Sequence, residues 1–290
     1  MTLRSACGIV LRVADYGEAD KLVTCYCSGL GRVTGIAKGA KKSKRRFVNK
    51  LEEWSLLRIF YRPPRGPAGL LLIGEAELLA AHLSLRTDFR RYAAAMYLGE
   101  LTLRFTRDSD PDRRLYLLLR WALAALDQGR TPQQVITLFH LHLLDTVGYR
   151  PELTHCIACR QTVQGMRGYI FLPGSGSLLC PACAPGTPSH APRLSVQTIR
   201  LLASAQSFDL DRLHRLCFPA PALTEAMTAL HHFSLHLLQQ DVHSWRLLRP
   251  LLSDRLLCLE SPDPALANEN GLAAAAPPVP SRAHLHRDGV

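Results

Sequence analysis

Nine cysteines lie along the 290-residue chain, and four of them have a spacing with chemical meaning: Cys156-Ile157-Ala158-Cys159 and Cys180-Pro181-Ala182-Cys183. Two Cys-x2-Cys pairs separated by twenty residues match the pattern of a four-thiolate zinc site. Two residues between cysteines let both sulfurs of a tight turn face one side, and two such knuckles supply a tetrahedral set with zinc–sulfur bonds of about 2.3 Å. All four positions are thiolate, so none is left for activating a water. The pattern predicts one structural zinc ion per chain, held by Cys156, Cys159, Cys180 and Cys183. A disulfide pair and unrelated buried cysteines compete with this reading. The odd cysteine total and the lack of a secretion signal weigh against disulfides. His155 is a candidate substitute ligand, although a solvated loop histidine is favoured.

The second chemically marked stretch is Lys38 to Lys50, with seven basic residues and no acidic one. Such a run repels itself unless anions neutralise it, which favours phosphate backbones as partner and little sequence preference. The whole chain carries 35 Lys and Arg against 24 Asp and Glu, a formal net charge of +11. Fourteen basic and seven acidic side chains fall in residues 1–80. Small residues at 39, 40 and 43 suit a mobile loop. Tyr26, Phe47, Trp54, Phe60 and Tyr61 interleave with the charge and are candidates for stacking on unpaired bases, with core packing favoured for Trp54 and Phe60.

Around the basic stretch the chain reads as short strands. Ile9, Leu11 and Val13 alternate. So do Val23, Cys25 and Cys27, which are expected to point inward, and Gly29-Leu30-Gly31 marks a hairpin. Runs at Arg32–Lys38, Leu51–Tyr61 and Leu70–Ile73 complete five strands, a small closed barrel of oligonucleotide-binding (OB) type. Periodicity alone leaves an SH3-like barrel open.

From about His82 the pattern becomes helical. Asp110-Pro111-Asp112 predicts an N-cap with proline at the first helical position, and Thr131-Pro132-Gln133-Gln134 predicts a capping box. Gly148 and Pro151 end that second helix. The cysteine knuckles read as a loop excursion from a helical bundle, and helix resumes at Ser195 and again over Leu223–Leu238. His232 and His236 read as part of a polar stripe.

The expected class is α+β: an OB-type domain over 1–81, a helical domain over 82–252 with the zinc module at about 153–190, and a tail over 253–290. The tail is rich in Pro, Ala and Asn and is expected to be disordered from about 261.

Several chemistries lack their motifs. The dipeptide Gly-Lys is absent, so there is no P-loop, and His-Glu-x-x-His and Gly-x-Ser-x-Gly are missing too. No apolar run approaches a membrane span, and the first apolar stretch is too short for a signal peptide. The expectation is a cytoplasmic binding protein with reduced thiols. The residues alone also leave open a zinc-ribbon protein of RNA or the ribosome, and a nucleic-acid-modifying enzyme.

Five linked motifs carry a resemblance: Gly8-Ile9-Val10-Leu11; Tyr16-Gly17-Glu18-Ala19-Asp20-Lys21; Gly29-Leu30-Gly31; Ala37-Lys38-Gly39-Ala40-Lys41-Lys42; and Gly148-Tyr149-Arg150-Pro151-Glu152-Leu153 before Cys156. In this order they resemble the RecO family of bacterial DNA repair proteins over roughly residues 1–250. The resemblance implies an OB barrel, a helical domain and a zinc module that some members lack. It also implies a non-enzymatic recombination mediator on the nucleoid. Such a protein binds single- and double-stranded DNA, anneals complementary strands, and acts with RecR to help RecA displace single-strand-binding protein. The helical domain is then expected to dock that protein's acidic, apolar C-terminal tail. Carried onto this chain, the family's basic stretch falls on Lys38, Lys41, Lys42, Lys44, Arg45 and Arg46, and its zinc ligands fall on the four cysteines. Many relatives have glycine after the second cysteine, where this chain has Arg160.

Overall fold

The computed structural model describes residues 3–252 apart from 65, 67, 68, 166, 167 and 187–190. The tail expected over 253–290 lies outside the described residues. The chain opens with β1 (Arg4–Tyr16), β2 (Asp20–Cys27) and β3 (Gly31–Ala37), followed after the basic loop by β4 (Leu56–Arg62) and β5 (Leu71–Ala80). They close into a barrel in the order β1-β2-β3-β5-β4, with β3 parallel to β5 and all other pairs antiparallel. This is OB-type connectivity, which decides against the SH3-like alternative.

Two strands depart from expectation. β4 starts at Leu56 rather than Leu51, because residues 51–55 turn back along β1: Trp54 N donates to Val10 O and Val10 N to Ser55 O, with Trp54 at φ +68°. β5 runs on to Ala80, well past Ile73: Gly74 falls at a register shift, and Glu75 and Glu77 break the apolar pattern while pairing with Phe60 and Arg58 of β4.

The barrel is buried on two sides. Val10, Val23, Cys25, Cys27, Leu57 and Ile59 fill its interior, as the alternation of β2 anticipates for the two cysteines. Ile9, Leu11, Tyr26 and Trp54 point outward into a second core shared with the helices. The run Gly8-Ile9-Val10-Leu11 is therefore apolar on both faces of one strand.

The helical part comprises α1 (Ser84–Thr87), α2 (Phe89–Phe105), α3 (Arg113–Asp127), α4 (Pro132–Thr146), α5 (Val196–Gln206), α6 (Ala220–Leu238) and α7 (Trp245–Leu248). Two capping expectations are corrected. Asp112 itself caps α3, accepting from the backbone N–H of Arg114 and Leu115, so Pro111 precedes the helix. Thr131 stands at the N-cap of α4 with Pro132 at the first position, but its side chain makes no cap bond, and Gln134 Nε2 donates instead to Leu216 O.

Barrel and helices meet through side chains far apart in sequence. Arg32 Nε lies 2.6 Å from Asp108 Oδ1, and Asp112 N donates to the Tyr26 hydroxyl at 3.3 Å. Gly31, at φ +68°, lies against the Asp110 backbone, where a Cβ would come within 2.3 Å of a carbonyl oxygen. On the same side the Trp54 indole covers Gly99 of α2, and His82 Nδ1 lies 2.7 Å from Trp54 O.

Candidate nucleic-acid surface and four-thiolate centre

The basic loop is anchored, which corrects the expectation of a mobile one. A 3-10 turn over Ala40–Lys42 follows β3. Gly39 N donates to Asp20 Oδ1 at 2.8 Å, Lys41 N to Ala19 O, and Phe47 N to Ser43 Oγ. Phe47 is buried in the barrel core as the loop's apolar anchor. Lys38, Lys41, Lys42, Lys44, Arg45 and Arg46 are nonetheless all exposed.

The six cations are not equivalent. Lys41 Nζ lies 3.0 Å from Asp15 Oδ2 and donates to Gly17 O. The Arg46 guanidinium donates to Gly74 O and Lys38 O and sits 5.2 Å from the centre of the Phe47 ring. Among the described residues, Lys42, Lys44 and Arg45 have no acidic partner within ion-pair distance. They are the charges most available to an incoming anion.

The aromatic side chains do not form a stacking face. Tyr26, Phe47, Trp54 and Tyr61 are buried and Phe60 is half-buried. Tyr26 alternates correctly for an outward position, but the helical part covers that face of the barrel.

The cysteines converge as the spacing predicts. The sulfurs of Cys156, Cys159, Cys180 and Cys183 all lie within 4.8 Å of one another. Tetrahedral bonds of about 2.3 Å set a sulfur–sulfur edge of about 3.8 Å, and Cys159 and Cys180 are 3.7 Å apart. Burial pushes the Cys156 thiol up, but backbone N–H groups of Cys159, Cys180 and Ala158 aimed at its sulfur outweigh this and bring it down to about 6. Cys183 is pushed up to about 12, chiefly by the neighbouring Cys180 and Cys159 sulfurs. Four thiols this close cannot all ionise unaided, and a bound divalent cation removes that conflict. The donor set and its size fit a metal ion. His155 is not part of the cluster: it lies 3.4 Å from Glu152 Oε1 and 2.7 Å from Arg160 Nη1.

The knuckles are not a loop excursion. They sit on a three-stranded sheet of β6 (Tyr169–Leu172), β7 (Ser177–Leu179) and β8 (Arg193–Leu194), in the order β7-β6-β8. Cys156 bridges Leu178, and Ile157 N donates to Leu178 O at 2.8 Å. The sheet packs on the bundle through Phe171, whose ring meets Phe233 of α6 edge-on at 5.9 Å. At the β6–β7 turn Gly176, at φ +63°, leaves room for the same Phe233 ring. Arg160 stands at φ +61°, the left-handed position that closes the first knuckle. Glycine occupies that conformation without strain, and a side chain such as that of Arg160 does not.

The N-terminal model of Recombination protein O matches residues 1–82, and its C-terminal model matches residues 86–246. The chain belongs to the RecO family. A DNA repair protein RecO of Anaeromyxobacter sp. (strain Fw109-5) is 36% identical over 251 residues, covering 85% of this chain and 97% of its own length. Another, of Syntrophus aciditrophicus (strain SB), is 31% identical over 246 residues, covering 83% and 93%. The RecO family assignment thus spans both the barrel with its basic loop and the helical part with its cysteine cluster. No helix among the described residues is long and apolar enough to cross a membrane.

Proposed function

We propose that this RecO-family chain is a non-enzymatic recombination mediator of DNA repair in the bacterial cytoplasm, at the nucleoid. It binds single- and double-stranded DNA and anneals complementary strands. Together with RecR it helps RecA load onto DNA covered by single-strand-binding protein. The observation that carries this reading is the basic loop: six exposed cations fixed on the surface of an OB-type barrel by a buried Phe47. Cations that grip sugar-phosphate leave base edges free to pair, so annealing needs no nucleotide hydrolysis. The buried aromatics support the same view, since a strand held without base stacking is freer to meet its complement.

We place the domains at 1–81 and 82–252, with the zinc module at about 153–190. One zinc ion bound by Cys156, Cys159, Cys180 and Cys183 pins the β6–β7 sheet against α4 and α6. For the acidic, apolar tail of single-strand-binding protein, the cavity of about 680 Å³ beside α6 and α7 has fitting chemistry. Leu235 and Trp245 offer apolar walls and Arg249 offers positive charge, while Arg246 is paired with Asp241 of the same cavity at 2.8 Å.

The test is the salt dependence of single-stranded DNA binding. Neutralising about six phosphates gives a log–log slope near −4. Replacing Lys42, Lys44 and Arg45 together by alanine removes three unpaired cations and should bring the slope to about −2. A slope unchanged by the triple replacement removes the loop from the DNA-binding surface.

A further inference from the structure

We propose that a cleft at the barrel rim, beside the basic loop, seats one phosphate of a nucleic-acid strand together with its sugar, and that Arg62 grips it from the far wall. The inference rests on the nucleic-acid reading above and gives that surface a defined pocket. The cleft holds about 260 Å³ and is lined by Lys38, Arg46, Arg62, Leu3, Leu72 and Gly74. Lys38 follows the end of β3, Arg62 ends β4, and Leu72 and Gly74 lie on β5, where Arg62 pairs with Leu72. The barrel closure thus brings a cation from outside the basic run against two cations of that run.

Three positive side chains line the cleft and no carboxylate does. Among the described residues, neither Lys38 nor Arg62 has an acidic partner within ion-pair distance. Charges gathered this way repel one another until an anion sits between them. Arg46 is already oriented, because Gly74 O and Lys38 O each accept one of its N–H groups. A guanidinium has five such donors, so three remain for a ligand oxygen. At Gly74 a Cβ would sit at ordinary contact distance, 3.7 Å from Leu3 Cδ1 and from Phe60 O, so the site takes a small side chain and only a larger one narrows the cleft. The volume equals that of roughly nine waters at ~30 Å³ each. That has room for a phosphate and its sugar, with Leu3 and Leu72 as apolar contacts for the sugar.

The experiment uses the full chain and fluorescence anisotropy with an oligothymidine, over a range of salt. Arg62→Gln should shallow the log–log slope by about 0.7, the share of one phosphate contact on a single strand. Arg58→Gln removes the same charge from the same strand outside the cleft, where Arg58 is paired with Glu77 at 3.0 Å, and should leave the slope unchanged. Gly74→Val narrows the cleft without altering charge and should weaken binding several-fold. An Arg62→Gln slope equal to that of the unaltered chain overturns the seat, as does an equal loss in Arg58→Gln. A second arm compares oligonucleotides with 5′-phosphate and 5′-hydroxyl ends. A phosphate gain that disappears in Arg62→Gln assigns the seat to strand ends, and no gain in either protein assigns it to internal phosphodiesters. A gain that survives Arg62→Gln again overturns it. Failure of the unaltered chain to bind at all sinks the nucleic-acid reading itself.

Discussion

Acid should destabilise this protein above the range where carboxylates titrate, through two histidines buried in the helical part. The Tyr97 hydroxyl lies 3.4 Å from His140 Nδ1 and 3.3 Å from His231 Nδ1, and His140 Nε2 is 2.6 Å from Ser234 Oγ. The His231 ring stacks on Trp245 at 3.9 Å. Burial, reinforced by His231, pulls His140 down to about 3. Burial and His232 do the same to His231 against the pull of Asp241 and Glu100, again to about 3. The ordinary value in an unfolded chain is about 6.5. The folded values lie below it, so the unfolded chain takes up protons first. The stability held by the neutral pair is complete above about pH 6.5 and drains away as pH falls toward 3. Between pH 7 and pH 5 each histidine loses about 2 kcal/mol, and the pair about 4. With a urea m-value near 3 kcal/mol/M, the unfolding midpoint should fall by about 1.3 M over that interval. The assay is urea unfolding at both pH values, for the unaltered chain and for His140→Gln with His231→Gln, which keeps polar groups but cannot titrate. The double variant should lose most of the pH dependence. A midpoint that drops equally in both proteins refutes the assignment to these histidines.

Other expectations can be checked on the same purified chain. Metal analysis should return about one zinc per chain, and Cys159→Ser should lose it and lower the unfolding temperature. Arg160→Gly relieves a left-handed residue at φ +61°, whereas Arg160→Ala keeps the strain and loses the contact with His155. The glycine variant should therefore be more stable than the alanine variant by about 1 kcal/mol in thermal unfolding. In Gly99→Ala the new Cβ falls 2.4 Å from Cζ3 of the buried Trp54 indole. Overpacking of about 1–3 kcal/mol should outweigh the roughly 1 kcal/mol gained in helix propensity, with a shifted tryptophan emission as the local sign.

Where local pattern and final environment coincide, the sequence was readable. The alternation of Val23, Cys25 and Cys27 survives because these residues face the barrel interior whatever covers its outside. The knuckles are likewise local, because Cys-x2-Cys forms within a single turn. What escaped depends on partners distant in the chain. β6 and β7 are short strands hidden in a glycine-rich spacer, β8 follows the second knuckle, and they become strands only by pairing with each other and packing on α6. Tyr26 carries the signature of a base-stacking aromatic, yet its outward face meets Asp112, 86 residues later. Arg62 lies twelve residues beyond the basic run and joins it only through the register of β4 on β5.

Charge followed the same rule. Counting cations marks the loop as basic but cannot say which charges are already engaged, and the fold divides them. Lys41 and Arg46 hold the loop in shape, while Lys42, Lys44 and Arg45 face solvent without acidic partners among the described residues. A loop fixed in this way presents its charge at a constant spacing before DNA arrives, so less conformational entropy is lost on binding than a flexible basic arm would lose. That difference separates two kinds of alanine replacement. Removing Lys42, Lys44 or Arg45 should weaken binding by electrostatics alone and vanish at high salt. Removing Arg46 should also loosen the loop and leave a deficit that salt does not erase.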